Sequence, residues 1–435
     1  MRRTLAFIFL FGVLVTSLWA MSSVRSARSI NRDQILTLFL TGNELGILQP
    51  CGCSGGQLGG LDRRSAIFGG VDSSRRFIIG TGFFVEGTDE QEQYKFDTML
   101  QAFDILEYDL INLTEQDIDI VRARGLLESI SSLFNVISSQ EADDINFPRS
   151  FSKRILVNEK NIVINISSLK AEEAKEQVLE IFPLSKGSDT DVLNVNIVLL
   201  NERDKTVIEE ICQSGLVNCV IVPSETDEAE LIKEFNNGTL VVSVGRYGKY
   251  IGKLEVRLSE GGNGLVYSFT TLAVKEELEQ DKVLLELYKS YQQVVKSSGL
   301  LEKQSRFSLP EGIEYSGSES CKDCHEYAYE KWREQRHAKA LESLEKVGSE
   351  SDPECVVCHV VGLEYVSGYG SSEKSKVLDN VGCESCHGPG SRHIESIGEV
   401  KLAEPKSECL DCHAPEHGGN YGGNEEKYFK KIIHW

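Results

Sequence analysis

One five-residue pattern, Cys-x-x-Cys-His, occurs four times near the end of this chain. The copies are CKDCH (Cys321, Cys324, His325), CVVCH (Cys355, Cys358, His359), CESCH (Cys383, Cys386, His387) and CLDCH (Cys409, Cys412, His413). Together they consume eight of the twelve cysteines. With eight histidines in 435 residues, about 2% of positions are His, so four chance placements directly after four CxxC pairs have odds on the order of one in ten million. Two thiols on one turn of chain can add across the two vinyl groups of one porphyrin, and the imidazole of the next residue then serves the iron as an axial ligand. The pattern therefore predicts four covalently bound haem c groups, one iron each. A zinc ribbon needs paired CxxC units and gives no reason for a histidine after every pair. The intervals between motifs are 30, 24 and 22 residues. A thioredoxin-type redox pair would occur once, beside a βαβ pattern, and a disulfide between cysteines three positions apart closes a very small loop.

The compartment follows from the other end. MRRTLAFIFLFGVLVTSLWAMSS places Arg2 and Arg3 before an apolar run from Leu5 to Val15, then small and polar residues with a candidate cleavage point after Ala20. Residues 1–27 are thus read as a secretory signal peptide, or as an N-terminal anchor if Trp19 prevents cleavage. Either way the bulk of the protein is expected to be periplasmic or otherwise exported, where the cytochrome c class acquires its haem. A formal charge of −21 argues against nucleic acid or an anionic membrane surface as partner, and favours a redox protein with a basic docking surface.

Composition divides the remainder. All eight histidines lie at or after position 325, whereas residues 28–300 read as an α/β domain. Strand-like runs are ILTLFLTG, RRFIIGTGFF, ISSLFNVISS, KRILVNEKNIVINIS, VLNVNIVLLN, VNCVIVPS, GTLVVSVGRYG and IGKLEVRLSE. Helical periodicity falls between them at QYKFDTMLQAFDILEY, EEAKEQVLEIF, DKTVIEEICQSG and EAELIKEF. VKEELEQDKVLLELYKSYQQVVKSSG predicts a long helix, residues 301–317 read as a linker, and the haem region spans 318–435. A stretch that short, carrying four haems, is expected to be a small, mainly α domain whose core is largely porphyrin.

Four histidines remain outside the motifs: His337, His393, His417 and His434. Four irons need four sixth ligands, so complete bis-histidine ligation is arithmetically available. His337 lies on a helical segment with Tyr329 and Trp332, His393 follows a Gly-Pro-Gly turn, and His434 ends the amphipathic YFKKIIHW. His417 is only four residues after His413. The order CxxCH, RHAKAL, CESCHGPGSRH and a last CxxCH resembles the tetrahaem cytochrome c554 family over residues 318–435. That resemblance implies that His393 crosses to the haem of His325, His337 to that of His387, and His434 to that of His413. It also implies that the second haem, at His359, can be left five-coordinate, a point that His417 reopens.

LTGNELGILQPCGCSGGQLGGLDRR together with GTLVVSVGRYGKYIGKLEV is similar to calcineurin-like metallophosphoesterase domains of the 5′-nucleotidase type. The resemblance implies a β-sandwich flanked by helices, with a dinuclear metal site. Two-metal hydrolysis needs an Asp, His and Asn cage, yet this domain has no histidine. Asn43-Glu44-Leu45 stands where the family shows Asp-x-His, Phe83 in GTGFF where it shows Gly-Asp, and LLNERD and VIVPSE at the later strand ends. The domain is therefore expected to be catalytically degenerate, a scaffold or docking surface. Cys51, Cys53, Cys212 and Cys219 stay open between metal, disulfide and free thiol. The reading favours an electron carrier; the alternative is an oxidoreductase that reduces a small nitrogen-oxide-type ligand at an open second haem.

Overall fold

The computed structural model describes residues 35–50, 57–141, 144, 147–157, 160–182, 192–260, 264–370, 376–404, 409–414 and 421–434. Cys51, Cys53, His417 and the N-terminal segment lie outside them.

Two six-stranded sheets form the first part of the molecule. One contains β1 (Ile35–Thr41), β2 (Arg76–Gly80), β3 (Leu110–Asn112), β4 (Val136–Ile137), β11 (Tyr250–Leu258) and β12 (Leu265–Ala273), in the order β12-β11-β1-β2-β3-β4. The other contains β5 (Ser150–Val157), β6 (Lys160–Leu169), β7 (Val192–Leu200), β8 (Cys219–Ile221), β9 (Glu230–Glu234) and β10 (Leu240–Ser243), in the order β5-β6-β7-β8-β10-β9. The central strands β1 to β4 are parallel to one another, as are β6, β7, β8 and β10. Antiparallel strands close both edges of each sheet except at β4.

Alternation explains the stacking. In β1, Leu36, Leu38 and Leu40 point into a core shared with Ile162, Ile164, Ile166, Val195, Ile197 and Val242 of the facing sheet, while Phe39 points the other way, onto helices. Side chains two apart share a face, and both faces are covered, so the strands read as continuous apolar runs. Each fully buried Leu or Ile contributes about 1.5–3 kcal/mol. The helices beneath Phe39 are α1 (Glu90–Ile105) and α2 (Glu115–Ala123), joined by α3 (Lys282–Ser298); helices Ala171–Ile181 and Lys205–Gln213 cover the outer face of the second sheet. Asp89 caps α1 through the Gln91 and Glu92 amides, and Thr114 with Asp117 forms a capping box on α2. The expected sandwich flanked by helices is present.

Local expectations fail in four places. EAELIKEF holds the edge strand β9 instead of a helix: four of its five residues pair antiparallel with β10, Ile232 being skipped at the bulge, and an edge position tolerates the charged Glu230, Lys233 and Glu234. ISSLFNVISS starts with a helical turn, Ile130–Leu133, before the two-residue β4. The long helix begins only at Lys282, where Asp281 caps it, and ends at Gly299 in the left-handed region. Strand β12 carries no clear strand signal, because its outer face is half exposed and mixes Ser and Thr with apolar residues.

Cys212 and Cys219 are both buried free thiols on opposite sides of the second sheet. Cys219 lies in the inter-sheet core and Cys212 under the helices. Burial pushes the Cys212 thiol up to about 12.

The C-terminal region is a set of short helices, with isolated bridges Phe307↔Tyr365 and Val360↔Asp379. Its apolar clusters are small, built around Leu341, Leu344, Val356 and Val360 in one and Tyr315, Val361 and Leu378 in another. Residues 306–317 run along it as a strap: Phe307 bonds Glu364, and the amides of Ser316 and Gly317 donate to Glu384. The α/β part grips the helix α4 (Pro353–Val356). Gln91 donates to Asp352 at 2.8 Å, Lys95 reaches Glu354 at 2.5 Å, and Gln292 donates to Ser349 at 2.8 Å.

Candidate haem centres

Each motif folds as a tight helical turn. The amide of His325 bonds the Cys321 carbonyl at 2.9 Å, and that of His413 bonds the Cys409 carbonyl at 2.8 Å. Residues four apart on such a turn share a side, so the first thiol and the imidazole face the same space. Cys383–His387 is itself a single turn of helix, and Cys355 sits in α4 with His359 just beyond it.

The structure brings six histidines into three pairs. The rings of His325 and His393 are 6.0 Å apart, those of His387 and His434 6.1 Å, and those of His337 and His413 6.2 Å. A first-row metal–imidazole bond of about 2.0–2.1 Å, plus roughly 1.1 Å from Nε2 to the ring centre, puts two trans imidazoles about 6.2 Å apart across one iron. All three pairs have that spacing. The ring protons are placed to suit: Nδ1 lies 2.7 Å from a carbonyl in His359 (Ala340), His393 (Val400) and His434 (Ile432), and 3.2 Å in His387 (Ala403). A carbonyl can only accept, so each Nδ1 carries the hydrogen and each Nε2 keeps the lone pair a metal needs. Burial lowers the pKa of His337, His359 and His413, favouring the neutral, ligating form. The residues fit haem iron.

Residues 320–388 match the family model described as cytochrome c554 and c-prime. Cytochrome c-554 of Nitrosomonas europaea is 35% identical over 109 residues, 22% of this chain and 46% of that protein. The C-type polyheme cytochrome OmcB of Geobacter sulfurreducens is 37% identical over 73 residues, 15% of this chain and 10% of that protein. The C-terminal region is similar to the cytochrome c554 family. This chain spans less than half the length of either relative.

Two of the ring pairings differ from the crossings that the resemblance implied. His325 has His393 opposite it, but His337 faces His413 where the resemblance implied His387, and His434 faces His387 where it implied His413. His337 is stitched beside the chain leading into the third motif, its carbonyl accepting from the Val381 amide while Trp332 Nε1 donates to the Val381 carbonyl, yet its ring faces His413 of the fourth. Around His413, Tyr421 stacks at 5.3 Å and Tyr428 sits edge-on at 5.6 Å, so the C-terminal helix Glu425–Ile432 carries His434 past it.

The thiols pair the motifs in a second way. The side chains of Cys321 and Cys383 lie close enough to interact, as do those of Cys358 and Cys412, so the first motif neighbours the third and the second neighbours the fourth. Glu384, inside the third motif and 3% exposed, accepts from the amides of Ser316, Gly317 and Gly390. Sequence reasoning missed this residue. Its one signal was a carboxylate between two haem cysteines.

In the α/β part, the strand ends that would carry a dinuclear metal cage open on a cleft of about 370 Å³. Asn43, Thr81, Phe83, Asn112 and Asn201 line it. Glu44 is fully buried and tied to Arg64 at 2.8 Å, so its charge is neutralised inside the protein. Amides and hydroxyls in place of Asp and His do not fit two divalent ions. Solved structures similar to the chain include the calcineurin-like phosphoesterase YfkN from Bacillus subtilis, 12% identical with a TM-score of 0.47 over 60% of this chain and 97% of that one. A 5′-nucleotidase precursor from Thermus thermophilus is 17% identical, with a TM-score of 0.45 over 72% and 68%.

Proposed function

We propose that this protein is an exported tetrahaem c-type cytochrome that carries electrons between redox partners, with the α/β domain as a non-hydrolytic scaffold. The observation that carries the reading is the three histidine pairs spaced at 6.0–6.2 Å, each joining a motif histidine to a distant one. Bound haem c supplies reversible one-electron chemistry, with a potential set by axial ligands, burial and nearby hydrogen bonds. The chain's own residues do the rest. Cys321, Cys324, Cys355, Cys358, Cys383, Cys386, Cys409 and Cys412 would attach the groups, and His325, His359, His387 and His413 would each supply a ligand. His393, His434 and His337 would supply the second ligand of the first, third and fourth. The closeness of Cys321 to Cys383 and of Cys358 to Cys412 would set the attachment points in two close couples. Export is supported by the Arg-Arg and apolar leader in the sequence. Among the described residues no helix is long and apolar enough to cross a membrane.

The test is haem content with low-temperature EPR on the exported protein. Four haems per chain and at least three low-spin irons are expected; fewer than three low-spin irons would overturn the ligand assignment. The same spectrum decides the second haem, for which His417 is the remaining histidine. A high-spin fourth signal would move the protein toward small-ligand reduction.

A further inference from the structure

The parallel strands of both sheets direct their carboxyl ends at the 370 Å³ cleft, the position at which open α/β sheets bind ligands. Its size falls at the small end of ligand pockets. Asn112 ends β3 and is 5% exposed. Its Nδ2 donates to the Thr81 carbonyl at 3.0 Å, which fixes the amide, and its Oδ1 is buried with no hydrogen-bond partner. An orphan acceptor behind a cleft wall is costly and marks a corner that the chain does not satisfy for itself. Two other lining residues, Asn43 and Phe83, hold left-handed backbone at φ 51° and 58°. Such strain in non-glycine residues concentrates at ligand sites. Gly82, next to Phe83, cannot be replaced without cost, since a Cβ there would stand 2.6 Å from Thr114 Cγ2.

Charge selects the ligand. The lining carries no Lys, Arg or His among the described residues, so a phosphate ester has no counter-charge. Its only carboxylates among them, Glu115 and Asp119, are exposed at the rim and screened by water. The deep polar groups, Ser139 and Ser168 with Asn112, are uncharged hydroxyls and an amide, and Leu199 and Ile221 supply an apolar wall. We propose that this cleft binds a neutral polyhydroxylated molecule of mono- to disaccharide size, its hydroxyls meeting the Ser139, Ser168 and Asn112 side chains that line the cleft. This site is independent of the haem assignment.

The test is calorimetric titration of the full-length, haem-loaded protein with D-ribose, D-glucose and maltose, beside spermidine and AMP with Mn²⁺. Saturable binding of at least one sugar is expected, weakened about tenfold by Asn112→Leu with the visible haem spectrum unchanged. Ser168→Ala is the second variant should Asn112→Leu fail to fold, and it too should weaken the sugar. Absence of saturable binding by all three sugars would mean a water-filled cleft and overturn the proposal. So would binding confined to spermidine and lost in Glu115→Gln/Asp119→Asn, or confined to AMP with Mn²⁺.

Discussion

His393 and His434 are the residues on which the ligand assignment turns. Removing either strips one imidazole from one iron. His393→Ala should convert the centre of His325 to high spin and open it to carbon monoxide, and His434→Ala should do so at His387 while leaving His413 low-spin. Optical titration with carbon monoxide, combined with EPR, reads both; a change at His413 in His434→Ala would restore the crossing that the family resemblance implied. The ring planes of His325 and His393 are 23° apart and those of His387 and His434 85°, so the two low-spin signals should differ in anisotropy. Glu384 is the residue whose loss should cost most stability for its size. It satisfies three buried or half-buried amides as a charged acceptor, and Glu384→Ala is expected to destabilise the cytochrome region by about 2–4 kcal/mol, measured by guanidinium unfolding followed at the haem absorbance. The CxxCH motifs were legible because covalent haem attachment demands those residues at that spacing. Glu384 was not, because its partners lie in the preceding strap and no local pattern announces them.

At the scale of elements, what could be read depended on burial. The strands with two covered faces, β1, β6 and β7, stand out as apolar runs, and the capped helices α1 and α2 carry clear periodicity and caps. Edge strands escaped. β9 reads as Glu-Leu-Ile-Lys-Glu, a composition equally good on a helix surface, and only its partner β10 decides. The crossings of His337 and His434 escaped for the same reason, since which motif a loop histidine reaches depends on how Trp332, Tyr421 and Tyr428 pack. The floor of the cleft depends on one carboxylate: Asp117 accepts from the amides of Phe83, Phe84 and Thr114. Asp117→Ala removes the capping box and leaves these donors unsatisfied. It should lower the α/β domain's stability by about 2 kcal/mol or more, read by circular dichroism during thermal unfolding.

For the whole molecule, the junction between sandwich and cytochrome region rests on a charged cluster. Lys95 is buried between Glu92 at 2.6 Å and Glu354 at 2.5 Å. Burial alone would lower its pKa, but the Glu354 and Glu92 carboxylates outweigh that and hold it above the ordinary lysine value. A raised pKa means that the folded protein keeps this proton better than the unfolded chain does. The contribution is therefore full below about pH 10.4 and decays as pH rises through the folded value. Lys95→Met leaves buried Glu92 uncompensated and should cost about 3 kcal/mol. Melting curves of the two proteins should converge only in strong alkali. The net charge of −21 sets the last expectation: electron exchange with a basic partner protein should slow as salt rises from about 0.01 to 0.15 M, because the Debye length shortens from about 30 to 8 Å. Stopped-flow kinetics would show it.

The grip on the helix of the second motif also bears on biogenesis. Cys355 is half-buried there, packed in the cluster of Leu341, Leu344 and Val356 and close to Tyr288 of α3. An attachment enzyme cannot reach a thiol closed beneath a folded domain, so loading at this position must come before the two parts seat together. The chain emerges sandwich first and CxxCH motifs last, which leaves a window in which the finished sandwich waits beside an unfinished tail. Seating then acts as a maturation checkpoint: chains that lack the second group should expose the Gln91 and Lys95 surface and fall to proteases, which pulse-chase of a Cys355→Ala/Cys358→Ala variant would reveal as a shortened lifetime.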